Sequence, residues 1–229
     1  KDDTLLMVQL PSGYGLAEDY EVFSPANLIY TDGQEEVRLK SEVLLPGTLT
    51  HVITGARSNR LVRSYYFERD FSKTLVVSWT NAEACAHIQD SQRLENNWFE
   101  EPIVRMAAPF SRADLIVTDG EIPVLPESIF GPELEHGWCY YYQRASLARQ
   151  KGDWEEVVRL ADEARSQNLA PADLTEWVPL LEGYLNTGRV EDARQVAEWI
   201  KADLNTAGYL CTQLETQPQR AGLAEALCP

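Results

Sequence analysis

The sequence predicts an α+β protein, with a strand-rich first half followed by a helical second half. In the first half, apolar side chains alternate with polar ones or form short runs, which is typical of strands. After His136 they recur every three to four positions, which is typical of amphipathic helices. A stretch rich in proline, which cannot donate a backbone hydrogen bond, separates the two patterns. We therefore predict a mixed α+β domain over residues 1–119, a proline-rich linker over residues 120–135 and a short helical hairpin stack over residues 136–229.

Composition and charge narrow the class of protein. The chain has 229 residues, of which 44% are hydrophobic, enough to bury a sizeable core. The 36 acidic residues outnumber the 20 basic ones, giving a net charge of −16 that would repel a nucleic-acid backbone, so no nucleic-acid partner is predicted. The longest apolar runs are strand-sized, well short of the roughly 18 residues that cross a bilayer. Because the chain begins at Lys1, we expect it to be a piece of a longer protein.

The clearest predicted strand is Glu36–Leu45, in which apolar and polar side chains alternate to give one solvated face. Asp32-Gly33 before it and Pro46-Gly47 after it are turn signals. Leu75-Val76-Val77 has no alternation, as expected of a central strand covered on both faces. The other predicted strands are Thr4–Leu10, Leu49–Ile53, Leu61–Phe67, Thr74–Trp79, Ile103–Ala107 and Leu115–Val117.

One helix is predicted within this strand-rich region. Thr80 and Glu83 fit a capping box, in which each side chain satisfies a free amide of the first turn. Ala84, Ile88 and Leu94 follow at rough helical spacing. Residues 120–132 are predicted to be extended, because their prolines disrupt both helix and sheet.

Four apolar stripes at helical spacing predict four helices in the second half. Gly152 and Gly188 are predicted to end helices in the left-handed conformation, and Asp153 to cap the next helix, with Glu156 three residues later. A fifth helix is predicted over about Ala207–Leu214, and Gly222–Leu227 is expected to add a last turn. The stripes are Trp138, Tyr141, Tyr142, Ala145 and Ala148; Trp154, Val157, Val158, Ala161 and Ala164; Leu174, Trp177, Val178, Leu181 and Tyr184; and Ala193, Val196, Ala197, Ile200 and Leu204.

The cysteines allow two interpretations. Cys85, Cys139, Cys211 and Cys228 form no CxxC pair and no spacing that suits zinc, so no metal site is predicted. An even number of cysteines permits two disulfides in an oxidising compartment, with three connectivities, but four free thiols are equally compatible with the sequence.

The helical half resembles tetratricopeptide repeats. Gly152 and Gly188, which are 36 residues apart, match the loop glycine of the repeat. Large first-helix positions are matched by Trp177, Leu180 and Tyr184, and small second-helix positions by Ala164 and Ala193. The match is partial, since Val157 replaces a usual Ala and Arg189 a usual capping Asp. The resemblance implies a curved helical surface that binds a protein or peptide partner.

The whole chain is also similar to the soluble C-terminal region of uncharacterised bacterial polytopic membrane proteins. The segments that carry this resemblance are Asp19–Tyr30, Ala107–Arg112, Phe130–Glu133 and His136–Tyr142. Those proteins have a layout like that of membrane glycosyltransferases that use lipid-linked sugars. The resemblance implies an extracytoplasmic domain tethered beside a membrane, and it transfers no catalytic residue.

The sequence carries no enzyme motif that we can identify. There is no GxSxG elbow, phosphate-binding loop, HExxH or GxGxxG. His51, His87 and His136 could act as bases, but they are far apart in sequence and are interpreted as structural. No catalytic residue and no cofactor is predicted.

Tyr140 is the first candidate binding residue. It lies off the stripe formed by Trp138, Tyr141 and Tyr142, which are predicted to belong to the core. An exposed aromatic ring at this position could line a groove for a peptide or a sugar ring.

Arg63, Tyr65 and Arg69 are the other candidate binding residues. They lie in Arg57–Lys73, the one locally basic stretch of the chain, and would share a face of a strand. Such a face could meet lipid phosphates or an acidic partner. The alternatives are a solvated or edge strand protected by its charges, or pairing of the arginines with the acidic faces of the helical half.

Together these observations predict a non-catalytic interaction or scaffolding domain. We expect it to lie outside the cytoplasm, tethered to membrane segments, with a protein or peptide partner and with the membrane surface nearby. The alternative is an accessory domain of a membrane glycosyltransferase that shapes access of the acceptor or of the lipid-linked donor.

Overall fold

The computed structural model describes residues 4–10, 19–30, 39–62, 65–94, 100–117, 127–132, 135–215 and 221–228. Their backbone forms two compact units: the first comprises residues 1–82 and 87–133, and the second comprises residues 83–86 and 134–229. Strands lie in the first unit and the second is helical, so the α+β class is confirmed. Within the described residues, none of the helices is long and apolar enough to span a membrane.

The described part of the first unit contains strands and short helices. The strands are β1 (Leu5–Gln9), β2 (Lys40–Val43), β3 (Arg57–Val62), β4 (Tyr65–Asp70), β5 (Thr74–Ser78) and β6 (His87–Ile88). The helices are α1 (Asp19–Tyr30), α2 (Pro46–Thr54), α3 (Pro102–Ala107) and α4 (Glu127–Phe130), with 3₁₀ turns at Phe71–Lys73, Ala108–Phe110 and Ala113–Leu115.

Four strands form a mixed sheet in the order β2-β1-β5-β6. β1 pairs in parallel with both β2 and β5, whereas β5 pairs with β6 in antiparallel fashion. The chain passes from β1 through α1 to β2, because parallel neighbours need a crossover connection. β3 and β4 form a separate antiparallel hairpin. The core of the unit is built from side chains of the sheet, α2 and α3: Leu5, Met7, Leu44, Val52, Phe71, Val76, Val104 and Ala107.

Strands are confirmed within Thr4–Leu10, Glu36–Leu45 and Thr74–Trp79. The solvated face predicted for Glu36–Leu45 is wrong over the described part, because Ser41, Glu42 and Val43 are all buried. Glu42 is covered because it pairs with an arginine of the hairpin. Turn residues 32–33 and strand residues 36–38 lie outside the described part of the chain.

Several predicted strands are wrong. Leu49–Ile53 lies in α2 and Ile103–Ala107 in α3, because Pro46 and Pro102 occupy first-turn positions where the missing N–H costs nothing. Short apolar runs do not by themselves distinguish strand from helix. Leu61–Phe67 is not one strand, because its two ends lie on the two strands of a hairpin. Leu115 ends a 3₁₀ turn, and Ile116 and Val117 form no strand.

The helix predicted from Thr80 is also absent from the described residues. Ile88 lies in β6, and the Gln89 N–H donates to the Val76 carbonyl at 2.9 Å, so this part of the chain joins the sheet. Within the stretch predicted to be extended, residues 127–130 form the short helix α4, and residues 120–126 lie outside the described part.

The second unit confirms the helical spacing. Its helices are α5 (Trp138–Lys151), α6 (Trp154–Ser166), α7 (Val178–Asn186), α8 (Val190–Lys201), α9 (Leu204–Glu215) and α10 (Ala221–Leu227), with a 3₁₀ turn at Leu174–Trp177 before α7. Gly152 and Gly188 have φ values of 73° and 74°, and the Asp153 side chain accepts the Glu156 N–H, as predicted. Leu204 is the exception: it begins α9 and is 81% exposed, so it does not end the α8 stripe.

Consecutive helices of this unit pack against each other around an aromatic centre. The Trp177 ring lies between those of Trp138 and Trp199, with centroid distances of 4.6 and 4.8 Å. The structure resolves the cysteine alternatives in favour of two disulfides, Cys85–Cys139 and Cys211–Cys228.

Candidate functional site

Two of the predicted binding residues lie on β4 of the first unit. Arg69 is 9% exposed, and its Nη1 donates to both carboxylate oxygens of Glu42, at 3.1 and 2.9 Å. Its guanidinium carbon also lies 5.3 Å from the centroid of the Phe71 ring. Tyr65 begins β4, where its backbone pairs with that of Val62. The Arg69 guanidinium therefore forms a buried ion pair within the first unit.

Arg63 lies outside the described residues, and Tyr140 belongs to the second unit. The four candidates therefore do not form one described site. Arginines of the basic stretch pair with acidic side chains of β2 and β4, whereas the alternative expected from the sequence named the acidic faces of the helical half. Arg60 Nη1 lies 3.6 Å from Glu42 Oε2, and Arg57 bonds Asp70 at 2.9 Å.

Tyr140 lies in a stack of planar side chains at the start of α5. Tyr140 and Arg144 are four residues apart on α5 and therefore lie on one face of the helix, and His136 precedes the helix by two residues. The rings of His136 and Tyr140 are parallel within 4°, with centroids 3.5 Å apart. The guanidinium carbon of Arg144 lies 5.5 Å from the Tyr140 centroid. We call these three residues the α5 ladder.

The α5 ladder is presented to solvent. His136 and Arg144 are exposed and Tyr140 is half-buried, whereas Trp138, Tyr141 and Tyr142 are buried as predicted. The Tyr141 ring meets the edge of Tyr140 at 87°, which supports the ladder from the core side. Arg159, and to a lesser extent Arg144, lower the pKa of Glu156, so this carboxylate stays ionised beside the ladder. The arrangement can stack against a planar group and can attract an anionic one.

A buried polar network that the sequence did not predict lies at the carboxyl end of β5. Ser78 Oγ donates to Glu100 Oε1 at 2.8 Å, and His87 Nδ1 lies 3.0 Å from the same oxygen. Gln89 Nε2 donates to Ser78 Oγ at 2.9 Å and to Glu100 Oε1 at 3.1 Å. All four residues are at most 3% exposed. The network could not be predicted from the sequence because a helix was expected from Thr80, and that helix would have placed His87 away from the sheet.

The network is better suited to holding the sheet together than to catalysis. Both Ser78 and His87 contact Glu100, whereas activation of a serine requires its hydroxyl to contact a base that a third group orients. Glu100 Oε2 has no hydrogen-bond partner among the described residues. Among those residues, no three His, Cys, Asp or Glu side chains come together as a metal site would require.

The first unit also contains an open groove of about 310 Å³. Its floor includes the buried side chains of Val52 and Phe71, and Phe110 and Arg112 stand at its exposed edge. This volume is at the lower end of the range for small-molecule sites. Arg112 is already bound by Asp114, through two hydrogen bonds of 2.7 Å.

In the second unit a buried carboxylate binds the short segment of residues 83–86. Glu176 is fully buried; its Oε1 accepts the Cys85 N–H at 2.8 Å, and its Oε2 accepts the Trp138 indole N–H at 2.6 Å. The same Oε2 lies 3.2 Å from Cys85 Sγ. Cys85 is in turn bonded to Cys139 in the first turn of α5. No sequence signal links Cys85 to Glu176, because 91 residues separate them.

The chain matches no protein family, and comparison with curated proteins and with solved structures finds no match. Its function therefore has to be inferred from its own residues.

Proposed function

We propose that this chain is a protein-interaction domain that works outside the cytoplasm as part of a larger membrane protein, and that the α5 ladder is its binding surface. The observation that carries the proposal is the exposed stack of His136, Tyr140 and Arg144. Tyr and Arg are the side chains that, with Trp, most often dominate the binding energy of protein interfaces.

The ladder is favourable for binding because its groups are already ordered. A tyrosine ring that already contacts a parallel imidazole and a guanidinium loses little rotamer freedom when a partner covers it. The ladder also offers positive charge on a chain whose net charge is −16. A partner that presents acidic and aromatic side chains would complement the guanidinium and the rings of the ladder.

The helical unit supports the same proposal. α5 contacts α6, α6 contacts α7 and α7 contacts α8, an order of contacts that a tetratricopeptide-like stack would also have. Such stacks bind partners more often than they transform them. The two disulfides support a location outside the cytoplasm, because structural disulfides persist mainly in oxidising compartments.

The interaction is tested by site-specific photo-crosslinking in intact cells that make the full protein. A photoreactive side chain replaces Tyr140, and a matched control replaces Arg194, which is 64% exposed on α8. We expect a discrete adduct from position 140 that is absent from position 194 and that weakens when Arg144 is changed to Ala. No adduct, or the same adduct from both positions, would contradict the proposal.

The location is tested by thiol counting without reductant. Protein from its own cells is denatured in the presence of an alkylating reagent, and the modified cysteines are counted by mass spectrometry. We expect none of the four to react. Four reactive thiols would argue for a reducing compartment and against this part of the proposal.

A further inference from the structure

The two sulfurs of the Cys85–Cys139 disulfide have different surroundings. Cys85 is 1% exposed within the core of the second unit, whereas Cys139 is half-buried. An incoming thiolate can approach only a sulfur that solvent reaches, so Cys139 is the one open to attack. Attack on Cys139 makes Cys85 the leaving group.

Cys139 is also placed where a thiolate is favoured. It is the second residue of α5, a helix of 14 residues that begins at Trp138. Free backbone N–H groups and the positive end of the helix dipole stabilise negative charge in a first turn. A cysteine at this position ionises more readily than an ordinary one.

The buried sulfur, by contrast, needs a source of protons. Water does not reach Cys85, and an isolated thiolate in an apolar core is costly. Glu176 Oε2 lies 3.2 Å from Cys85 Sγ, close enough for direct proton transfer once the disulfide opens. The Trp138 indole N–H, at 2.6 Å, and the Cys85 backbone N–H, at 2.8 Å, hold this carboxyl group in place.

From this geometry we propose that Cys85–Cys139 is an exchangeable disulfide that a dithiol reduces and re-forms, with Cys139 as the attacked sulfur and Glu176 as the proton-transfer group. The partner is a dithiol, whether a protein with two neighbouring cysteines or a small molecule. This activity goes beyond partner binding at the α5 ladder and does not depend on it.

The reaction balances in two steps. A thiol of the dithiol loses its proton and the resulting thiolate attacks Cys139 Sγ, so that the protein disulfide breaks and the electron pair passes to Cys85 Sγ. The Glu176 carboxylate takes up the released proton and passes it to Cys85 Sγ, and so ends the step as a carboxylate. The second thiol of the dithiol then loses its proton and attacks the dithiol sulfur that is bonded to Cys139, which releases Cys139 as a thiolate; this thiolate takes up the second proton. The dithiol has lost two electrons and become a disulfide, while the protein has gained them as two thiols. In the reverse direction, the Glu176 carboxylate removes the Cys85 proton.

Reduction changes what holds residues 83–86 to the helices. In the oxidised protein this segment is joined covalently to α5, whereas in the reduced protein the hydrogen bond from the Cys85 N–H to Glu176 and the packing of Cys85 remain. Reduction of the disulfide therefore removes the covalent link between this segment and α5.

The role of Glu176 is tested with Glu176→Gln, which keeps the size of the side chain and one carbonyl acceptor but cannot exchange a proton. Reduction by dithiothreitol and re-oxidation by its disulfide form are quenched at intervals by alkylation, and each cysteine is followed by mass spectrometry. We expect both rates at Cys85–Cys139 to fall at least about tenfold. Cys211–Cys228 in the same molecule serves as the internal control and should keep its rates. An unchanged or faster Cys85–Cys139 rate would overturn the role of Glu176.

The attacked sulfur is tested in the unaltered protein, so the result does not depend on how the variant folds. The protein reacts briefly with the monothiol glutathione, is quenched with acid and is mapped by mass spectrometry. We expect the mixed disulfide on Cys139. An adduct on Cys85, or none at this pair while Cys211–Cys228 reacts, would overturn the proposal.

Discussion

At the scale of single residues, close packing between helices depends on one glycine. Gly183 lies in α7, where a Cβ would come within 2.5 Å of a methyl carbon of Val157 on α6. Both residues are buried, so α6 and α7 can approach this closely only because position 183 has no side chain. Gly208 in α9 provides the contrast, because a Cβ there would have nothing within 4 Å.

We expect Gly183→Ala and Gly208→Ala to have opposite effects on the free energy of unfolding. Alanine favours a helix over glycine by about 0.5–1 kcal/mol, and at position 208 nothing opposes this gain. At position 183 the clash with Val157 costs about 1–3 kcal/mol and outweighs it. Urea unfolding of the two variants measures both changes. If Gly183→Ala stabilised the protein, the close contact between α6 and α7 would be wrong.

Tyr184 shows how burial adjusts a single ionisable group. Its hydroxyl donates to Asp162 at 2.8 Å and accepts from Arg165 at 3.0 Å. Burial is the main cause that raises the pKa of Tyr184 to about 12, from 10.0 in the unfolded chain. The folded state therefore favours the neutral phenol, and this contribution to stability is present below pH 10 and lost as the pH rises to about 12.

We expect the unfolding free energy of the native protein to fall more steeply between pH 10 and about 12 than that of Tyr184→Phe, which has no hydroxyl to ionise. Urea unfolding at several pH values in this window measures the difference. Parallel curves for the two proteins would show that Tyr184 ionises equally in the folded and unfolded states.

At the scale of elements, prediction from sequence succeeded where the apolar pattern was long. The helices α5 to α8 each repeat their stripe over two or more turns, so the spacing is unambiguous. α2 and α3 are only 9 and 6 residues long, and so their apolar residues read equally well as strands. Tyr140 could be chosen because it departs from a stripe, but the contact between Cys85 and Glu176 is tertiary and leaves no local pattern.

The pair of Glu42 and Arg69 connects two elements, β2 and β4. Both side chains are at least nine-tenths buried, so removing one partner leaves the other charged and without water. We expect Glu42→Gln to lower the unfolding free energy by about 3–5 kcal/mol. The control is Arg57→Ala, which breaks an ion pair whose arginine is 70% exposed and which should cost less than about 1 kcal/mol. Thermal or urea unfolding compares the two; equal small losses would contradict the burial of the Glu42 pair.

At the scale of the whole molecule, the two units are not contiguous in sequence. The second unit takes residues 83–86 from within the range of the first, so the chain passes between the units three times. A division at one boundary, such as the domains predicted from sequence, cannot capture this arrangement. The predicted proline-rich linker, residues 120–135, contains only one of the three points at which the chain crosses between units.

We expect a fragment of residues 134–229 to contain one free thiol per chain, because Cys139 has lost its partner, whereas the whole protein contains none. The fragment should also unfold at a lower temperature than the intact protein, since Trp138 and Glu176 lose the cover of Cys85. Thiol titration and calorimetry measure the two effects. A fragment without a free thiol, or with unchanged stability, would show that residues 83–86 are dispensable for the helical unit.

The early position of Cys85 also has a consequence for biosynthesis. A ribosome delivers Cys85 54 residues before Cys139 and 91 residues before Glu176. During that interval the nascent Cys85 thiol has neither its disulfide partner nor the carboxylate that binds its backbone. The helical unit can therefore complete its fold only after Cys139 and Glu176 have been synthesised and can contact the earlier segment that contains Cys85.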